Sequence, residues 1–266
     1  MIFDAIYILT LQNKDISKQI THLKKDCGFQ AENIHIYRSP KRIPKNSLNE
    51  GKLSDNLWNI LNHSTKDEIS LDIMKNHLDM ISKAYSEKQK FVLFLEDDAF
   101  FPSSFQKKRF QTQMQYLKKN IMTWDIAYLG YCPWPWLFSF FITSSMIRLH
   151  SALTAHSYVL HFHSMEKIIQ NIQLNPEKKL LHIDRFFSEW KELKKYAIFP
   201  MICFQEKDPA LYVKACDHVG FYLPFSFTCR LLETISLCLP ILFFVFLIIF
   251  VLLWIFYDKK KTKKKQ

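Results

Sequence analysis

Residues 91–101 read FVLFLEDDAFF: five apolar residues, three consecutive carboxylates (Glu96, Asp97 and Asp98), then apolar residues again. The apolar run lacks polar alternation, the pattern of a strand buried on both faces. Three adjacent like charges repel, and partial burial raises that cost unless a cation or hydrogen-bond donors compensate. On these residues alone, a cation site and a solvated acidic turn after a core strand read equally well.

The flanking chain places this strand in a larger pattern. Strand-like runs occur at Ala5–Leu11, Asn33–Tyr37, Phe91–Leu95, Asp125–Leu129 and Ala197–Phe204, with helical runs between them. In SLDIMKNHLDMISKAY (70–85), Leu71, Met74, Leu78, Ile81 and Tyr85 recur at helical spacing, with Asp79 and Lys83 an i,i+4 pair on the polar side. Pro102-Ser103 opens a further helix that carries Phe110, Met114 and Leu117 on one stripe. Unalternating strands separated by helices predict an α/β domain with a mostly parallel sheet flanked by helices. In such a sheet ligands bind beyond the carboxyl ends of the strands, which is where Glu96, Asp97 and Asp98 fall. Hard carboxylate oxygens suit Mn²⁺ or Mg²⁺, and these metals bridge phosphate oxygens. The predicted chemistry is a metal-bound diphosphate.

Composition removes several alternatives. The four glycines (28, 51, 130 and 220) are scattered, which excludes the phosphate loop and the dinucleotide fingerprint, both built on clustered glycines. The formal charge is +11, but the last nine residues, DKKKTKKKQ, supply six Lys and one Asp. The rest of the excess is spread without a basic block, so no nucleic-acid partner is expected. Six cysteines without a close pair argue against a zinc ribbon and leave one or two disulfides open.

The two ends differ in kind. MIFDAIYILTLQNKD at the start lacks a basic n-region and a small-residue cleavage site, and it reads as a first strand rather than a secretory signal. Thr234 to Tyr257 is an uncharged stretch of 24 residues containing ILFFVFLIIFVLLWIF. At helical rise it exceeds a hydrocarbon core of about 30 Å. Trp254 and Tyr257 stand at the level of an interfacial belt, directly before the Lys cluster. The reading is a C-terminal transmembrane helix on a membrane-anchored protein, with the side that carries the body left open.

Several short segments, taken in order, resemble the catalytic domain of family 25 glycosyltransferases, the group of lipooligosaccharide and procollagen galactosyltransferases. They are FVLFLEDDAFF, preceded by a helix with His77 (where Asn76 departs from the Ser usual before that His), then WDIAYLG (124–130), TAHSYVL (154–160), HIDRFF (182–187) and FPMICFQ (199–205). The resemblance spans roughly residues 4 to 207. It implies a GT-A-like fold, a UDP-sugar donor with galactose the common sugar, an inverting transfer, and Mn²⁺ or Mg²⁺ as cofactor. By the same resemblance Glu96 and Asp98 hold the metal, Glu96, Asp97 and Asp98 face the donor, and Asp184 is the base or a second metal partner. Asp125 in WDIAYLG reads equally well as a further donor contact and as a strand-start Asp capping nearby amides. The first strand departs from the family, reading LTLQNKDISK with Thr10 and no Arg, and Ser157 stands where Ala is usual.

The expectation is therefore a membrane-anchored, metal-dependent inverting glycosyltransferase acting on a glycan, lipid or protein acceptor. Its parts are a catalytic domain over 1–207, a connector over 208–233, the span over 234–257 and a basic tail over 258–266. A glycosyltransferase-derived membrane binding or structural protein without turnover is the alternative from another class. A metal-dependent phosphohydrolase using the same carboxylates is a third.

Overall fold

The computed structural model describes residues 2–10, 14–25, 27–39, 68–101, 106–133, 139–153, 155–175 and 182–205, with 212–214, 222–224 and helical positions 238, 242, 244–251 and 254. In chain order the strands begin with β1 (Ala5–Thr10), β2 (Ile34–Arg38), β3 (Phe91–Glu96), β4 (Ala99–Phe100) and β5 (Ile126–Tyr128). There follow β6 (Cys132–Pro133), β7 (Phe140–Thr143), β8 (Met146–Leu149), β9 (Ala152–Leu153) and β10 (Ser157–His161). The last are β11 (Lys195–Ile198), β12 (Phe204–Gln205), β13 (Tyr212–Lys214) and β14 (Tyr222–Pro224). The helices are α1 (Ser17–Lys25), α2 (Glu68–Ser86), α3 (Lys107–Lys119), α4 (Phe162–Leu174) and α5 (Ile183–Glu189).

Eight strands form one sheet in the order β2-β1-β3-β10-β5-β11-β8-β7. β1 pairs in parallel with β2 and β3, and β11 in parallel with β5. β10 enters antiparallel between β3 and β5, and β8 runs antiparallel to both β11 and β7. The result is an α/β fold around a mostly parallel, mixed sheet. The five strand-like runs of the sequence are β1, β2, β3, β5 and β11. The last run is shifted, because Pro200 has no N–H to extend the ladder beyond Ile198.

Alternation is hidden in the sequence and plain in the packing. Val92 and Phe94 of β3 face α2, α4 and α5, in one core with Met74, Ile81, Ile168 and Phe187. Phe91, Leu93 and Leu95 face the other layer, with Leu23 of α1 and Phe110, Met114 and Leu117 of α3. Burying each of these side chains contributes about 1.5–3 kcal/mol, so a strand apolar at every position is held from both sides. Two local details differ from expectation. Asp79 accepts a hydrogen bond from the Tyr37 hydroxyl at 3.1 Å, while Lys83 pairs with Glu87 at 3.9 Å. Helix α3 begins at Lys107, and Pro102-Ser103 lies outside the described residues.

The C-terminal span over 234–257 is described only at 238, 242, 244–251 and 254, and its other residues lie outside the description. Those positions are helical, and Phe246 and Trp254 are 69% and 65% exposed. Among the described residues no helix is long and apolar enough to cross a membrane. Part of the connector over 208–233 is the antiparallel pair β13–β14.

One glycine is fixed by close approach. Past β5, a Cβ on Gly130 would collide with the His156 ring and with the Cys203 carbonyl, and the latter is backbone that cannot swing aside. Gly130→Ala is expected to lower stability by about 1–3 kcal/mol, the usual cost of overpacking. Urea unfolding of wild type and variant measures it, and equal midpoints would show that the chain behind β5 yields freely.

Candidate active site

The crossovers from β1 and β3 leave in opposite directions: β2 lies beyond β1, and β5 lies on the far side of β3. A crevice at the carboxyl ends of two such strands is where open α/β sheets take ligands. The acidic triplet sits there, and each of its carboxylates has a different environment.

Glu96 ends β3 on the α2 side. His77 of α2, fully buried, brings Nε2 to 3.2 Å from Glu96 Oε1 and Nδ1 to 2.8 Å from the Tyr158 hydroxyl. An ionised carboxylate only accepts, so Nε2–H donates to Glu96 and Nδ1 accepts from Tyr158. Burial, then the Glu96 charge, push the Tyr158 hydroxyl well above its usual range. Asp97 turns toward β1: it accepts from the Thr10 hydroxyl at 2.8 Å and from Lys14 Nζ at 2.8 Å. Gln19 of α1 fixes the turn, its Nε2 donating to the carbonyls of Glu96 and Ala99 at 3.1 Å each.

Asp98 is the exception. Its Oδ1 is buried and has no hydrogen-bond partner among the described residues. Burial first, then repulsion from Glu96 and Asp97, push its carboxyl up to about 7, with Lys14 opposing. Near the same end of the sheet the Tyr128 hydroxyl is buried without a partner among the described residues, while the His156 ring and the Ser157 hydroxyl lie against Cys203. Burial holds His156 below its ordinary pKa. Over 90% of buried polar groups are normally paired, so the open Asp98 oxygen, in the crevice where open α/β sheets take ligands, is the candidate point of contact.

Asp184 lies in the first turn of α5, where its Oδ1 accepts from the Arg185 N–H at 2.8 Å. Its charge adds to burial in pushing up the Tyr128 hydroxyl, and its helix packs Ile183 and Phe187 into the core that Tyr128 shares with Met74 of α2. Asp125 is not brought to the crevice. It precedes β5, at the opposite edge, and Oδ2 accepts from Lys167 Nζ at 2.9 Å and from the Lys194 N–H at 2.7 Å. His161 is buried beside Asp125 and caps α4 by accepting from the Ser164 N–H. Sequence reasoning did not single out Lys14, Gln19, Tyr128 or His156 for the site. Tyr128 and His156 lie at the ends of strand-forming runs, whereas Lys14 and Gln19 carry no local signal.

Among the described residues no three His, Cys, Asp or Glu side chains stand together as a ready-made metal cage. The donors suit a more open site. Mg²⁺ and Mn²⁺ are commonly held by one or two carboxylates plus substrate phosphates. Asp98 offers a buried open oxygen, Glu96 lies beside it, and their mutual repulsion is what a divalent cation relieves.

No family model matches the chain, and no curated protein matches it. Solved structures show partial likenesses. A mannose-1-phosphate geranyltransferase from Thermus thermophilus shares 9% identity over 73% of this chain and 72% of its own, with a TM-score of 0.41. CMP:2-keto-3-deoxy-manno-octonic acid synthetase in complex with CTP shares 10% over 73% of this chain and 88% of its own, with a TM-score of 0.37. A glycosyltransferase involved in glycosylation of the major capsid of PBCV-1 shares 12% over 66% and 69%, with a TM-score of 0.33. Likenesses of this size carry no argument about function.

Asp98 makes stability depend on pH. Its folded pKa of about 7 lies above the ordinary carboxylate value near 3.9. The folded state therefore binds more protons than the unfolded one across that window, and Asp98 costs stability as pH rises through it. Asp98→Asn removes the cost. The variant should gain on wild type by about 2–4 kcal/mol between pH 4 and pH 8 in urea unfolding. A difference that stays constant over that range would mean Asp98 ionises like an exposed carboxyl.

Proposed function

We propose that this chain is a metal-dependent inverting glycosyltransferase, of the kind found in family 25, that moves a hexose from UDP-sugar to a hydroxyl acceptor. Galactose is the first sugar to test. The observation that carries the reading is the carboxylate crowding at the β1/β3 crevice, where Asp98 keeps a buried, unpartnered oxygen. Glu96 and Asp98 are the residues to hold Mn²⁺ or Mg²⁺, which when bound would neutralise the leaving diphosphate as a Lewis acid.

The chain's own groups divide the remaining work. Thr10 and Lys14 hold Asp97, so the turn that presents Asp98 keeps its shape. His77, braced by Tyr158, orients Glu96. In an inverting displacement the acceptor oxygen bonds to the anomeric carbon as the bond to the diphosphate breaks, and the acceptor's proton passes to a base. Asp184 is assigned that proton. The segment over 234–257 is assigned the role of membrane anchor, which favours an acceptor attached to or delivered at a membrane.

A second reading, a glycosyltransferase-derived binding protein without turnover, has one observation in its favour. Glu96 and Asp97 are already engaged by His77, Thr10 and Lys14. A screen of nucleotide sugars with the detergent-solubilised full chain separates the two. Turnover of a UDP-sugar that requires Mn²⁺ is expected, and Asp184→Asn should reduce it by about 10²-fold or more while donor affinity holds, the usual scale for a lost general base. The chain truncated at Glu233 should keep donor hydrolysis and leave carbonate-washed membranes. Donor binding without turnover under any condition selects the second reading.

A further inference from the structure

A cavity of about 470 Å³ opens at the edge of the sheet opposite the carboxylates, where β8 and β11 meet the turn over 191–194. Arg148, Lys191, Lys194 and Lys195 line it together with His150, and Glu192 is the one carboxylate on its wall. Arg148, His150 and Lys191 are exposed, and their side chains have no ion pair or hydrogen bond among the described residues. Lys194 Nζ reaches only the Met122 carbonyl, at 3.4 Å. Lys195 is 1% exposed, and its Nζ donates to the carbonyls of Trp190 and Leu193 at 2.6 and 3.3 Å.

Three exposed cations, Arg148, Lys191 and Lys194, with the buried Lys195 amine behind them, stand against one carboxylate and give a concave wall of mainly one sign, which focuses the field and concentrates anions. The guanidinium of Arg148 presents a planar fork that matches two phosphate oxygens, and the lysines add point charges around it. The volume falls within the range of small-ligand pockets, roughly 300–1,000 Å³. Phe140 also lines the cavity and is 57% exposed, so the organic part of a bound ester has an aromatic surface to rest on.

We propose that this pocket is an anion site that binds the phosphate group of a phosphorylated ligand, a soluble ester or a lipid headgroup, independently of the carboxylate crevice. It stands at the other end of the strands from Glu96 and Asp98, so it does not require the glycosyltransferase reading. Its net charge favours a multiply charged phosphate over a single carboxylate.

The test uses the full chain in detergent with chelator present, which removes metal-dependent binding at the crevice. Pyrophosphate is titrated calorimetrically into wild type, into the double variant Arg148→Glu/Lys191→Glu and into its milder form Arg148→Gln/Lys191→Gln. In parallel, the same proteins are floated with phosphatidylcholine vesicles with and without phosphatidic acid. For a soluble ester, pyrophosphate binds wild type and both variants weaken it, at least tenfold with glutamate. For a headgroup, the variants lose the phosphatidic acid-dependent part of flotation several-fold without a matching pyrophosphate signal. Both side chains are exposed, so thermal melting should not change. Pyrophosphate affinity and vesicle binding that are both indifferent to the substitutions overturn the proposal, while metal-dependent turnover is left to stand or fall separately.

Discussion

Three like charges at the end of one buried strand set the terms for everything around the carboxyl edge of this sheet. Glu96, Asp97 and Asp98 cannot all be ionised, close together and half-buried without compensation. The fold answers for two of them. His77 stands on Glu96 from the α2 side, and Thr10 and Lys14 hold Asp97 from the end of β1. Asp98 is left with a buried open oxygen and a carboxyl raised to about 7. The uncompensated charge is therefore concentrated on one residue, at the crevice where the crossovers diverge.

The sheet supplies the rigidity this requires. β3 is clamped by β1 on one side and by antiparallel β10 on the other, and helices cover both faces. The Glu96 N–H donates to the His156 carbonyl at 2.9 Å, so the start of β10 and the end of β3 are tied at the site itself. The two edges of the sheet are also electrostatically distinct. Carboxylates gather at the ends of β1 and β3, whereas Arg148, Lys191 and Lys194 line the cavity at the other edge. Asp125 belongs to that second edge, where Lys167 neutralises it.

Much of this was legible from residue order. A strand buried on both faces is apolar throughout, and β1, β3 and β5 could be recognised from that and from the helical spacing between them. β10 was not recognised as a strand. Its five residues, SYVLH, carry a serine and a histidine at the ends, and nothing local states that it runs antiparallel in the middle of the sheet. The carboxylates could be singled out because charge interrupts an apolar run. Their partners could not: Lys14 and Gln19 are ordinary polar residues until the fold brings them more than 75 positions across the chain to the turn at 96–99. Asp125 shows the converse limit, since a strand-start Asp reads the same whichever edge it occupies.

The central claim is that the crevice at the ends of β1 and β3 holds a divalent cation and the diphosphate of a nucleotide through Asp98 and Glu96. Anomalous diffraction at the manganese edge, from crystals grown with Mn²⁺ and UDP, tests it most directly. The account predicts one strong peak within bonding distance of Asp98, with Glu96 beside it and the diphosphate oxygens completing the shell. An ordered UDP elsewhere in the protein, with no manganese peak at the end of β3, would contradict it.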